Sequence, residues 1–368
     1  MSEPRTIVVK IGTSSITDAA GVIDRGAIEK LCADVAAARA DGHRVVVVTS
    51  GAIAAGLPEI GLDADRRSVD TITLQAVATI GQVALMGVYR ESFAVHGLVA
   101  GQVLLVPLDF IVRTQYIHAG QTLRRLLELG VVPIVNENDA IADDEIRWGD
   151  NDRIAALVAN LVDADQLILL TDIAGVLTAD PRVDASASLI EEIVEIDHQT
   201  EALAGGAGSV RGSGGMASKL TAAKIAAWSG VSSVIAHAGR ADVVVDAVAE
   251  VAGVGTIIRS RPIRLPARKL WIAFAVVAQG TIVVDAGARA ALERGMSLLA
   301  AGVREIVGDF DAGSPVEVVD SDGVTFAKGL VRHTANELRA AAGQRSDDLP
   351  VGAPHIVVHA DDLVTLPG

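Results

Sequence analysis

TIVVKIGTSS, from Thr6 to Ser15, sets the reading of the whole chain. Its β-branched residues run on without the alternation of a strand with one wet face, so the stretch fits a strand buried on both sides. It closes on Lys10, Gly12 and a cluster of hydroxyls. RVVVVTSG (Arg44 to Gly51), VVPIVNEND (Val131 to Asp139), QLILLTD (Gln166 to Asp172) and SSVIAH (Ser232 to His237) repeat the pattern. Between these runs, Arg25 to Ala40, Val69 to Phe93, Gln115 to Leu129, Asn151 to Leu161 and Ala217 to Ser229 carry helical spacing. The alternation predicts an α/β fold with an open, mostly parallel sheet sandwiched by helices. Such sheets bind ligands beyond the carboxyl ends of their strands. The polar residues gather there: GTSS, TSGAIAAG, NEND and TDIAG each follow an apolar run.

The 368 residues, 50% of them hydrophobic, predict a sizeable core and two domains. No apolar run approaches the roughly 20 residues of a membrane span. MSEPRTIVVK lacks the regions of a secretory signal, so a soluble, cytoplasmic protein is expected. A formal net charge of −15 repels a phosphate backbone, which makes nucleic acid a poor partner. Small anions remain open to a site that concentrates a few lysines and backbone N–H groups. The single cysteine, Cys32, sits in a helical pattern and reads as a core thiol. Near RSRPIRLPAR (Arg259 to Arg268) the βα rhythm breaks. Residues 1–260 are expected to form one domain, 261–268 a linker, and 269–368 a small, mainly-β domain with Asp-Gly and Gln-Gly turns.

Four stretches can carry chemistry. Lys10 ends a buried strand beside a Gly-containing turn; alone it reads more readily as a solvated strand terminus. SGGMASK, Ser213 to Lys219, sets glycines before a helix with a lysine in its first turn, and Ser213 or Ser218 can serve as the N-cap. Two lysines from distant parts of the chain, each beside a Gly-rich turn, suit the two sides of a phosphoryl group in transfer. NEND (Asn136 to Asp139) and GDND (Gly149 to Asp152) expose carboxylates and amides. In GDND, Asp150, Asn151 and Asp152 exceed the one side chain a helix cap requires. The histidines show no metal-ligand spacing, and neither a Walker loop nor a G-x-S-x-G elbow is present.

Lys10 with GTS, TSGAIAAG, VPIVNENDA, GDNDRIAA, LLTDIAGVLTADPR and GSGGMASKLTAA, in this order, resemble the glutamate 5-kinases of the amino acid kinase family from about Thr6 to Ile258. Residues from Lys269 to roughly Val358 resemble a PUA domain. The resemblance implies transfer of a phosphoryl group from ATP, with Mg²⁺ bound mainly through the nucleotide, to the γ-carboxylate of L-glutamate. That is the first step towards proline. Lys10, Lys219 and Asp150 then form the catalytic set. Ser50, Asn136, Asp139, Asn151 and Asp152 bind glutamate, with Asp139 suiting the α-ammonium and the Asn151 amide a carboxylate. Asp150 is assigned to steering a lysine, and Asp152 either to the same task or to completing the amino-acid pocket. Lys10, Gly12, Gly51, Thr171, Asp172, Ser213, Gly214, Gly215, Met216, Ala217, Ser218 and Lys219 bind ATP, and no residue is assigned to a resident metal. Feedback inhibition by proline, a homo-oligomer and handover to γ-glutamyl phosphate reductase are implied as well.

Leu177 stands where relatives often carry tyrosine, and Ser213 and Ala217 where they often carry threonine and serine; none of these carries charge in the reaction. Kinases of the same fold acting on acetylglutamate, aspartate, uridylate or carbamate are the nearest rivals, and an inactive, nucleic-acid-binding relative is a further one. A PUA domain usually signals RNA binding, yet residues 269–368 hold more acidic than basic side chains. A structural, oligomer-forming or regulatory role is expected instead.

Overall fold

β1 (Thr6–Ile11) is buried along its whole length. It runs parallel to β2 (Arg44–Val48) on one side and β5 (Gln166–Thr171) on the other, with Lys10 in register with Val48 and Leu169. The computed structural model describes residues 3–18, 20–62, 69–110, 112–141, 151–180, 184, 186–204, 215–262, 264–274, 276–345, 350 and 354–366. The chain divides into two units, Met1–Arg264 and Leu265–Gly368.

In the first unit β3 (Ala100–Leu105), β4 (Val132–Glu137), β6 (Glu192–Ile193), β7 (Ser232–His237) and β8 (Gly255–Ile258) complete an eight-stranded sheet of order β3-β4-β2-β1-β5-β7-β8-β6. Within this sheet, among the described strand pairings, only β7 with β8 is antiparallel. The helices are α1 (Arg25–Ala40), α2 (Ala52–Glu59), α3 (Thr71–Val95), α4 (Arg113–Glu128), α5 (Asn151–Leu161), α6 (His198–Ala204), α7 (Met216–Trp228) and α8 (Val243–Val248). Asp24 caps α1 by accepting from Ala27 N at 3.0 Å, and Asp70 caps α3 by accepting from Thr73 N at 2.9 Å. Ile7, Val9, Val45, Val47, Ile134 and Ile168 meet Leu85, Tyr89 and Phe93 of α3 in the core.

Three strands escape the β-branched signal. β3 is an edge strand opened by Ala-Gly, and β6 and β8 have two and four residues. α2 also departs from the sequence reading, which treats TSGAIAAG as a polar strand end. Gly51 takes a left-handed φ of 94° ahead of it, and Ala-rich sequence then folds as helix. α3 departs further: at 25 residues, with a mean hydropathy of 1.5 over its most apolar window, it is long and apolar enough to cross a membrane, and 33% of that window is buried. Interspersed Thr and Gln hide its length from a count of unbroken apolar runs. α3 lies against α2 with almost no gap. A Cβ on Gly81 would stand 1.8 Å from Ala52 O and 2.4 Å from Gly56 N.

The second unit holds a six-stranded sheet of order β10-β14-β13-β12-β9-β11, built from β9 (Gly280–Val284), β10 (Leu298–Leu299), β11 (Val303–Val307), β12 (Pro315–Val319), β13 (Thr325–Val331) and β14 (Ile356–Thr365). Three short helices, α9 (Ala267–Phe274), α10 (Ala286–Glu293) and α11 (Ala335–Ala341), accompany it. Thr334 and Glu337 form a capping box at α11. Ile282, Val316, Phe326, Leu338 and Val358 belong to its own core.

Candidate active site

The carboxyl ends of β1, β2, β4 and β5 open on one edge of the sheet, and two helix starts, α5 and α7, supply side chains there. Asp152, in the first turn of α5, is fully buried. Its Oδ1 lies 2.5 Å from Lys10 Nζ and its Oδ2 3.1 Å from Lys219 Nζ. Ser218 Oγ donates to the same Oδ2 at 2.8 Å. The two lysines are 3% and 4% exposed, so one carboxylate between two ammonium groups leaves a net positive charge sealed from water. Burial pushes the Asp152 carboxyl up, but the Lys10 and Lys219 charges and the hydrogen bonds from Lys10 and Ser218 outweigh it and hold the group below the usual carboxylate range. Lys10 is carried on β1, Lys219 in the first turn of α7. A Cβ on Gly12 would stand 3.5 Å from Lys10 Nζ, which places the turn's backbone beside the ammonium.

Beside this cluster runs a row of amides. Asn151 Nδ2 lies 2.6 Å from Thr49 O, 2.8 Å from Asn136 Oδ1 and 2.9 Å from Ser50 Oγ. Asn136 Oδ1 also accepts from Glu137 N at 2.9 Å, while Asn136 Nδ2 donates to Gln82 Oε1 at 2.8 Å. Behind the row, the hydroxyls of Thr49 and Tyr89 meet at 2.9 Å. Both Asn151 amide hydrogens are therefore committed inside the protein. Oδ1 of that side chain has no hydrogen-bond partner among the described residues.

Thr171 and Asp172, at the end of β5, line a cleft of about 440 Å³ with Ser14, Ser15, Lys30, Asp34 and His237. Thr171 Oγ1 donates to Asp172 Oδ1 at 3.1 Å. Lys10 and Lys219 are not among the lining residues, so this cleft adjoins the lysine cluster without enclosing it. Burial pushes the Asp34 carboxyl up, against the pull of a Lys30 ammonium 2.9 Å away.

The structure thus brings Lys10, Lys219, Asp152 and Ser218 together, and Ser50, Asn136 and Asn151 beside them. Asp139 lies in the turn just after β4, and Gly51 at the head of α2. Gly215 is the N-cap of α7, where Ser213 or Ser218 was expected; Ser218 instead hydrogen-bonds Asp152 and Gly215 O. Met216 opens α7 and Ala217 follows it, exposed. Asp150, Ser213 and Gly214 lie outside the described residues. Within GDND, Asp152 contacts both lysines, the first of the two tasks open to it from the sequence, while Asp150 is not among the described residues. Gln82 and Tyr89 went unnoticed in the sequence. Their signal was present, because Ala78, Gln82, Leu85 and Tyr89 share one buried helical face.

A parallel sheet that gathers two buried lysines on one aspartate at its strand ends is built to hold a small anion. Residues 5–237 match the amino acid kinase family and residues 280–351 the PUA domain, and the chain belongs to the amino acid kinase family. It is similar to the glutamate 5-kinase of Myxococcus xanthus (strain DK1622), with 45% identity over 98% of this chain and 96% of that one. Identity to the glutamate 5-kinase of Azoarcus sp. (strain BH72) is 43%, covering 98% and 97%. For the glutamate 5-kinase of Mycobacterium tuberculosis (strain CDC 1551 / Oshkosh) it is 44%, covering 98% and 95%.

Proposed function

We propose that this chain is a glutamate 5-kinase, catalysing ATP-dependent phosphorylation of the γ-carboxylate of L-glutamate to γ-glutamyl phosphate, the first step of proline biosynthesis. The observation that carries this reading is the Lys10–Asp152–Lys219 cluster in a chain 41–45% identical to glutamate 5-kinases over nearly its whole length. A glutamate side chain with a pKa of about 4.3 arrives ionised and attacks phosphorus without a general base. Its difficulty is charge: a carboxylate must approach an anionic γ-phosphate. Lys10 and Lys219 neutralise the phosphoryl oxygens, and Asp152 holds both ammonium groups in place, so that the positive charge is positioned before the substrates meet.

Ser50, Asn136, Asp139 and Asn151 hold the amino acid. Gly12, Gly51, Thr171, Asp172 and the segment Gly215–Lys219 hold the nucleotide, with Asp150, Ser213 and Gly214 added on resemblance alone. Mg²⁺ enters as part of Mg·ATP. Both Asp152 oxygens already serve lysines, and among the described residues no three His, Cys, Asp or Glu side chains gather as a ligand set. Phosphate oxygens supply the chelate.

Proline as a feedback inhibitor, delivery of the acyl phosphate to a γ-glutamyl phosphate reductase and a cytoplasmic location complete the proposal. The acidic PUA domain serves assembly or regulation. A homo-oligomer belongs to the same reading, and light scattering would measure its mass. A hydroxamate assay with Mg·ATP and each candidate acceptor tests the activity. Product with glutamate is expected; product with acetylglutamate and none with glutamate would overturn the reading.

A further inference from the structure

Two polar atoms in the amide row have no partner among the described residues, and they are of opposite kind. Gln82 is 7% exposed, and its Nε2 is buried without a hydrogen bond. Asn151 Oδ1 is in the same condition. The surrounding bonds fix which atom is which. Turned over, Asn151 would press its oxygen against Thr49 O and Asn136 Oδ1, both acceptors. Asn136 must keep Oδ1 towards the Glu137 N–H, so its Nδ2 faces Gln82, and Gln82 must answer with Oε1. A buried donor and a buried acceptor are thus left over on side chains joined through Asn136. Native proteins rarely leave such atoms unmade unless something else satisfies them.

An acceptor and a donor on side chains joined through Asn136 complement the ammonium and carboxylate of an amino acid. We propose that Gln82 is a substrate-binding residue: its Nε2 donates to the α-carboxylate of glutamate while Asn151 Oδ1 accepts from the α-ammonium. The inference rests on the glutamate reading above. Strand order selects the carboxylate. Lys10 sits on β1, Ser50 follows β2 and Asn136 lies on β4, two strands from Lys10, with Gln82 of α3 bonded to Asn136. The row therefore leads away from the lysines, where the γ-carboxylate must react, so the group that reaches Gln82 is the α-carboxylate.

Two variants separate binding from architecture. Gln82→Glu keeps an acceptor for Asn136 but puts a carboxylate against the substrate's own; Gln82→Met removes both polar atoms at similar size. The Michaelis constant for glutamate is expected to rise about ten- to hundredfold in each, as for a lost hydrogen bond to a charged group, with that for ATP unchanged. The α-amide of glutamate is expected to be about ten- to hundredfold poorer than glutamate for the unaltered chain, and the gap is expected to close in Gln82→Met. A crystal structure of the unaltered chain with glutamate needs no variant, and a carboxylate oxygen within hydrogen-bond distance of Gln82 Nε2 is expected there. Unchanged glutamate constants in folded variants, or a carboxylate bound away from Gln82, would overturn the inference. No turnover of glutamate by the unaltered chain would instead overturn the glutamate reading.

Discussion

Lys219 Nζ lies 3.1 Å from Asp152 Oδ2, a contact that ties the first turn of α7 to the first turn of α5 across 67 residues of sequence. The lysine is thereby aimed before any ligand arrives. Lys219→Ala keeps the buried Lys10–Asp152 pair but removes one of the two charges proposed to neutralise the phosphoryl group. Its turnover number is expected to fall about 10²- to 10³-fold, with thermal unfolding still cooperative. Turnover equal to that of the unaltered chain would remove Lys219 from the reaction.

Asp152→Asn acts on stability as well as rate. It strands two ammonium groups in a site almost closed to water, and breaking a buried ionic set in this way costs about 3–5 kcal/mol. Urea unfolding is expected to show a lower midpoint at unchanged slope. A loss below 1 kcal/mol would mean that the lysines find other anions.

The pH dependence follows from the direction of the Asp152 shift. Its folded carboxyl is held below the range of an unfolded aspartate, so its stabilisation is fully present above the unfolded value of about 3.9 and is lost as pH falls through the folded one. The stability difference between the unaltered chain and Asp152→Asn is therefore expected to be constant from pH 7 to about 5 and to shrink below that. A difference that grew on acidification would contradict the assignment.

Gly81→Ala probes the α2–α3 contact. A methyl group placed 1.8 Å from Ala52 O forces the two helices apart, at an expected cost of at least about 1–3 kcal/mol. Gly87→Ala, on the same helix with open space at its Cβ, is the control and is expected to be neutral or slightly stabilising. Differential scanning calorimetry of the pair reads the contrast directly.

Cys32 is fully buried, and burial, with a smaller contribution from Glu29, pushes its thiol up to about 12. Only the thiolate reacts with alkylating reagents. Iodoacetamide at pH 8 is expected to leave the folded chain untouched and to label it once in guanidinium. Rapid labelling of the folded protein would show that α1 opens locally.

The central strands were legible because burial on both faces leaves a long β-branched run such as RVVVV, whereas the edge strand β3 carries Ala, Gly and Gln and leaves no such trace. The lysines were legible because each stands by a Gly-rich turn. Which acid serves them was not. Asp150 and Asp152 are the same residue type two positions apart, and the contact of Asp152 with both lysines is set by how α5 and α7 pack at the sheet's edge. Gln82 was legible as a position on a buried helical face but not as a partner of the amide row. A glutamine in an apolar helix reads as a solvated break until its neighbours prove to be core, and its free donor is defined only by Asn136 and Asn151, 54 and 69 residues further along the chain.

Gly81 and Gln82 are adjacent in α3, one pressed against the backbone of α2 and the other reaching the amide row. The same α2 begins next to Ser50 and Gly51. On the proposed placement of glutamate at the amide row, the spacing between the two helices sets the width of its pocket. Substitutions that relax this packing anywhere along α2 and α3 will shift thermal stability and amino-acid selectivity together, so variants selected for a differently sized acceptor should show the change first as an altered melting temperature.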